Sequence, residues 1–245
     1  MIAVDRSHTP QPSELLALLR AIASDERSQT TRLLQSSPWL ALEAADNGAT
    51  RQVARQYYLA AVGHYIYAGD TALHIAAAAY QTDIARELVA RGANVRARNR
   101  RGAEPLHYAV DGVPGSSRWN PAAQAAVVEY LIRAGGDPDC RDASGVAPLH
   151  RAARTRCAAA VRALLAHGAD PRLKNRNGST PLHLAVQTTG RGGTGTHDAR
   201  EQQSEIIRLL VEHGGRLADR DARGKTVREL IAARRDAFPS LPNER

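Results

Sequence analysis

The chain runs to 245 residues with 43% hydrophobic but only 4% aromatic side chains, and 33 Lys and Arg against 25 Asp and Glu give a formal net charge of +8. So few rings argue against the aromatic stacking row by which proteins hold single-stranded nucleic acid, and no apolar stretch approaches the roughly 18 residues of a membrane span. The interior has to be built from Ala, Leu, Val and Ile, which suits thin layers of closely packed helices.

The basic balance is a weaker clue than its size suggests. Lys174 and Lys225 are the only lysines, and Arg and Ala are abundant throughout, which marks a compositional bias more than an acidic partner or nucleic acid. Cys140 and Cys157 are the only cysteines, with no C-x-x-C pair, and Met1–Arg6 carries no apolar signal core. Two free thiols in a reducing cytoplasm are the expectation.

In chain order, residues 1–12 read as a flexible tail. From Ser13, an N-cap candidate, Leu15, Leu16, Leu18, Leu19 and Ile22 line one stripe of a helix. A second helix is predicted over about Glu26 to Gln35, ahead of Pro38, with Leu33, Leu34 and Trp39 closing the pair. A third is predicted over about Ala49 to Tyr65, where Val53, Tyr57, Tyr58, Ala61 and Val62 fall at helical spacing as packing residues. Residues 13–66 would then form a helical N-terminal cap, a degenerate repeat plus an extra helix, because the first unit of a stack must face water on its outer side.

From Tyr67 a tetrapeptide recurs: Thr71-Ala72-Leu73-His74, Glu104-Pro105-Leu106-His107, Ala147-Pro148-Leu149-His150 and Thr180-Pro181-Leu182-His183. Its histidines are 33, 43 and 33 residues apart, and Gly69, Gly102, Gly145 and Gly178 stand five residues before them. Each unit ends in paired aliphatics (Leu88-Val89, Leu131-Ile132, Leu164-Leu165, Leu209-Leu210) and a glycine stop at Gly92, Gly135, Gly168 or Gly214. Asn99, Asp142, Asn175 and Asp221 each precede the next glycine by three residues, where an Asx side chain can bond its own backbone and set a tight turn. The units run about 67–99, 100–142, 143–175 and 176–221. Residues 222–236 form a capping unit in which Arg228-Glu229 replaces the Leu-His pair, and residues 237–245 form a tail.

These residues make the chain resemble the ankyrin-repeat family, in particular its stand-alone bacterial members, over about Tyr67 to Ala233. The resemblance implies an all-α ankyrin-repeat solenoid whose turns project as fingers and whose first helices line a concave face. It also implies a structural role for His74, His107, His150 and His183, each bonded to the backbone of the adjoining turn. The expected partner is another protein, with an acidic segment suited to the basic fingertips. On the fingertips Arg100, Arg101, Ser144, Arg176, Asn177, Arg223 and Lys225 would make contact. On the concave face the candidates are Ala78, Asp111, Arg154 and Gln187.

Two units depart from the pattern. The histidine-to-stop distance is 18 residues in the first and third units, but 28 in the second and 31 in the fourth. Two long inter-helix insertions, 111–121 and 188–197, therefore fall on the edge opposite the fingers. In the unit between them Arg151 occupies a site that is apolar in Ile75 and Leu184, and Arg154 and Arg156 follow. An alternative function is thus a small anionic ligand binder or an unconventional enzyme. Its pocket would combine Arg151, Arg154, Arg156 and Trp119 with the backbone of Arg191, Gly192, Gly193 and Thr194. Against this, Arg151 can pair with Asp111 or Asp142, and a capping box from Asp198 to Glu201 would use the helix-start donors. Arg154 and Arg156 could also depress the Cys157 thiol.

Other motifs carry little. Gly190 to Gly195 fits G-x-G-x-x-G but follows a helix, not a strand. The histidines include no H-E-x-x-H or i, i+4 pair. No catalytic residue, metal or cofactor is assigned.

Overall fold

The computed structural model describes residues 12–187 and 197–233. The tails predicted at either end lie outside these residues, apart from Pro12, which opens the first helix. Helix α1 (Pro12–Ala23) pairs with α2 (Arg27–Ser36), α3 (Ala72–Ala78) with α4 (Thr82–Ala90), and α5 (Pro105–Ala109) with α6 (Pro121–Arg133). Likewise α7 (Pro148–Thr155) pairs with α8 (Ala158–Ala166) and α9 (Pro181–Ala185) with α10 (His197–Glu212), and α11 (Val227–Ala232) closes the stack. First helices α1, α3, α5, α7, α9 and α11 pack in one row, and α4, α6, α8 and α10 in a second. Leu73, Leu106, Leu149 and Leu182 lie between the rows, at most 1% exposed, each contributing roughly 1.5–3 kcal/mol of burial.

The repeated histidine joins one unit to the next. Its Nδ1 accepts the backbone N–H three residues back, from Thr71 (3.1 Å), Glu104 (3.1 Å), Ala147 (3.2 Å) and Thr180 (3.2 Å). That bond satisfies a helix-start donor and fixes the tautomer, so Nε2–H donates to the following finger. The acceptors are the carbonyls of Ala103 (3.1 Å), Val146 (2.9 Å), Ser179 (3.0 Å) and Lys225 (3.3 Å). Burial lowers the pKa of all four, His107 to about 4, so they are neutral at pH 7 with both nitrogens in use. No finger follows helix α11 among the described residues. There Glu229 takes the histidine's place, accepting from the Thr226 N–H (3.2 Å) while Thr226 Oγ1 accepts from the Glu229 N–H (3.1 Å).

Each finger turns on its Asx residue. Asn99, Asp142, Asn175 and Asp221 all use Oδ1 to accept two backbone N–H groups, two and four residues on, at 2.8–3.1 Å. Successive fingers are linked by one backbone bond each: Arg100 N–H to Ala68, Ala143 to Arg101, Arg176 to Ser144 and Ala222 to Asn177. The fit is close enough to demand glycine: Gly178 has φ +69°, and a Cβ there would lie 2.5 Å from the Ala222 nitrogen.

Two sequence expectations fail here, besides the N-cap at Ser13, which lies inside α1. The segment predicted as a helix over Ala49 to Tyr65 contains a short 3-10 turn (Arg55–Tyr57) and an antiparallel hairpin of β1 (Tyr58–Leu59) and β2 (His64–Tyr65). Tyr58 faces solvent and Leu59 the interior, as Tyr65 and Ile66 do, an alternation of period two. Gly63, at φ +67°, makes the turn. Tyr57 and Val62 do pack against the core, so their packing role survives the change of conformation. Helix α10 also starts at His197, so Asp198 sits inside its first turn and is not the N-cap.

Candidate protein-binding groove

The hairpin belongs to the first finger, whose base is closed by the Ala45 N–H to Asp70 carbonyl bond and the Gly69 N–H to Ala45 carbonyl bond. Its tip crosses to the row of first helices and meets the first insertion. His64 stacks on Tyr108 of α5 (centroids 4.9 Å apart, rings inclined 23°) and lies 3.8 Å from Asp111. Arg118 donates from the insertion to the Ala60 carbonyl in the hairpin turn.

Between hairpin and insertion lies a cavity of about 1000 Å³, open to solvent. Tyr58, Val62 and His64 line one side, Val113, Arg118 and Trp119 the other, and Ala78, Tyr80, Asp111 and Arg154 also face it. The insertion wall is held from behind. Gln124 on α6 donates to the carbonyls of Ala109 (3.1 Å) and Asp111 (3.3 Å) and accepts from Trp119 Nε1 (2.9 Å), and Tyr80 donates to the Asp111 carbonyl.

A buried polar seam underlies the groove. Asp70 accepts from Asn99 (2.8 Å) and Tyr108 (2.9 Å), and on the far side of His64 the Asp111 carboxylate accepts from Arg151 (3.1 Å), which also bonds Asp142 (3.4 Å). Burial pushes the Tyr80 and Tyr108 phenols up and His64 down, so at pH 7 all three are neutral.

Of the sequence-assigned residues, Ala78, Asp111, Arg154 and Trp119 meet at this cavity. Ala78 is only 6% exposed and shapes the groove more than it grips. Gln187 is exposed two repeats away, at the end of α9. All seven fingertip residues are exposed. Arg100 and Arg101 fold back over Tyr67 (5.3 and 4.8 Å to the ring centre), and Arg101 bonds its hydroxyl.

The three arginines of the anion pocket do not converge. Arg151 is spent on Asp111 and Asp142. Arg154 is exposed on the groove. Arg156 is 3% exposed, in a left-handed conformation (φ 63°), with no guanidinium nitrogen hydrogen-bonded among the described residues. Arg191, Gly192, Gly193 and Thr194 lie outside the described residues. The Cys157 thiol is not activated: burial raises its pKa to about 11. His197, Asp198 and Glu201 bring ligand atoms within 4.8 Å of one another, but all three are exposed at the start of α10, where acidic groups are favoured without an ion.

Sequence reasoning missed the hairpin wall and Gln124. A signal for Gln124 exists: Gln81, Gln124 and Gln203 each stand eleven residues before their unit's glycine stop. All three donate to carbonyls at the end of a first helix, Gln81 to Ile22 and Gln203 to Ala185.

The family model for ankyrin repeats, in three copies, matches residues 41–116 and 120–221. The chain belongs to the ankyrin-repeat family, whose repeats are generally protein–protein interaction modules. Comparison with curated proteins found no match. No helix among the described residues is long and apolar enough to cross a membrane.

Proposed function

We propose that this chain is a protein-recognition module that binds its partner chiefly along the groove between the hairpin and the first insertion. A second contact runs along the exposed fingertips Arg100, Arg101, Ser144, Arg176, Asn177, Arg223 and Lys225. The observation that carries the reading is the groove itself. Two segments that a bare stack does not need meet across the first helices, and each is tied there by named side-chain bonds. A surface held in place beforehand loses little ordering entropy on binding. The buried free thiols Cys140 and Cys157 suit a reducing cytoplasm as its place of work.

A photo-crosslinking residue at Val113, 62% exposed beside the groove, tests this in cells against the same residue at Arg133 on α6. Protein adducts at position 113 and few at 133 support the reading. Equal adducts, or none, contradict it.

One observation favours the small-anion alternative: the buried Arg156 guanidinium, with no partner among the described residues, has the character of a site waiting for a carboxylate or phosphate. Inorganic phosphate should then raise the melting temperature of the wild type and not of Arg156→Met.

A further inference from the structure

The character of the occupant, taking the groove as the recognition site, can be read from its charges. The basic side chains lining it are Arg27, His64, Arg118 and Arg154, of which His64 is neutral at pH 7 and the three arginines are cations. Arg27 sits 3.6 Å from Asp25 and 3.7 Å from Asp83. His64 is beside Asp111, and Arg118 is bound to the Ala60 carbonyl. The acids are matched too: Asp25 also accepts from Gln81 (3.1 Å), and Asp111 carries Arg151. Arg154 alone of these cations has no hydrogen bond or ion pair among the described residues, and it is exposed. Arg27 is neutralised by two aspartates and Arg118 is occupied by a carbonyl, whereas Arg154 presents a guanidinium with neither among the described residues.

The rim is apolar. Among the described residues the large exposed hydrophobics are Leu42, Val53, Tyr58, Tyr65 and Val113, and all but Leu42 lie on the segment leading into the hairpin, on the hairpin or on the insertion. Tyr58 and Tyr65 lie against each other (centroids 4.8 Å), and Tyr58 and Val113 line opposite sides of the cavity. Apolar side chains held exposed on both sides of one opening mark an interaction surface. Its volume is at the upper end of the roughly 300–1000 Å³ that small-molecule pockets span, and it is open to solvent.

We propose that the groove takes an extended peptide segment of a partner protein, in which an aspartate or glutamate seats on Arg154 and a neighbouring large apolar side chain packs against Tyr58 and Val113. A planar guanidinium with no internal partner pairs with a carboxylate through two parallel bonds. Tyr58 and Val113 supply the burial that a lone surface ion pair does not.

The test is a random dodecapeptide display library panned on the full chain and on Arg154→Glu, with enriched peptides made synthetically and measured by fluorescence anisotropy. Circular dichroism confirms that the exposed substitution leaves the fold intact. The wild type should enrich peptides with Asp or Glu beside Leu, Ile, Phe or Met. Arg154→Glu should weaken them by about tenfold or more, a size typical of losing one charged contact, and enrich Lys or Arg at that place instead. No enrichment on the wild type, or the same peptides bound equally by both proteins, overturns the proposal. Peptides indifferent to Arg154→Glu but lost with Arg176→Glu and Arg223→Glu would move recognition to the fingertips, leaving the broader function standing and the groove assignment refuted. A dimer in sedimentation that Val113→Glu dissociates would assign the groove to a second copy of this chain and equally overturn it.

Discussion

The two edges of the stack are built on opposite plans. Along the finger edge each of the four full repeats makes the same bonds: an Asx side chain holds the turn, a histidine caps its own helix and reaches the next finger, and one backbone bond ties finger to finger. Along the other edge the described joints between paired helices are not all alike. The first uses Tyr80 in a left-handed conformation and the third Arg156 in the same one, twelve residues before their stops. The second inserts a loop that Gln124 and Trp119 lock in place. Repetition on one edge secures the stack, and variation on the other, with the hairpin that crosses to meet it, gives this chain a surface of its own.

The largest expected effect breaks the finger edge. His107→Ala leaves the Glu104 N–H without its partner in a buried site and takes from the Val146 carbonyl one of its two donors, the Asp142 N–H remaining, a loss of about 4 kcal/mol with its cavity. Urea unfolding reads it. Gln124→Ala, which loosens only the insertion, should cost distinctly less, and equal losses would erase the contrast.

Acid attacks the same edge. The folded chain holds His107 down at about 4 while the unfolded chain titrates near 6.5, so the unfolded state takes the proton first. That stability is complete above pH 6.5 and is lost as the pH falls toward 4, by about 3 kcal/mol for this residue. His74, His150 and His183 shift in the same direction and add to it. Denaturant midpoints followed from pH 7 to 4 should fall steeply, and a flat profile would mean that the histidines are not the coupling element.

The smallest effect has the opposite sign. Arg156→Met keeps the stem and removes a buried charge with no partner among the described residues, so stability should rise by about 1 kcal/mol. A loss of similar size would show that the guanidinium has an anion to answer.

The finger edge was legible because its chemistry is local. Glycine, Asx residue and histidine lie within eight residues of one another, and their spacing alone specifies turn, cap and bridge. The groove was legible only in pieces. Asp111, Trp119 and Arg154 stand out in the sequence, but the residues that complete the site are far away in the chain, with Arg118 bound 58 residues from itself, at Ala60. The Ala49–Tyr65 segment misled because Val53, Tyr57, Tyr58, Ala61 and Val62 stand three and four apart and satisfy a helical period, while Tyr58-Leu59 and Tyr65-Ile66 satisfy an alternating one. Gly63 and the pairing of Tyr58 with Tyr65 decided for the hairpin. Arg151 was conspicuous as a charge on an apolar site, yet its two carboxylates, one on each side, make it structural.

Amide hydrogen exchange of the full chain, with and without an enriched peptide, separates the roles of the two edges most directly. The account predicts new protection at 58–65, at 111–120 and at the end of α7, with exchange at fingers 100–103, 143–146 and 176–179 unchanged. Protection centred on those fingers, with the hairpin and first insertion unaffected, would contradict it.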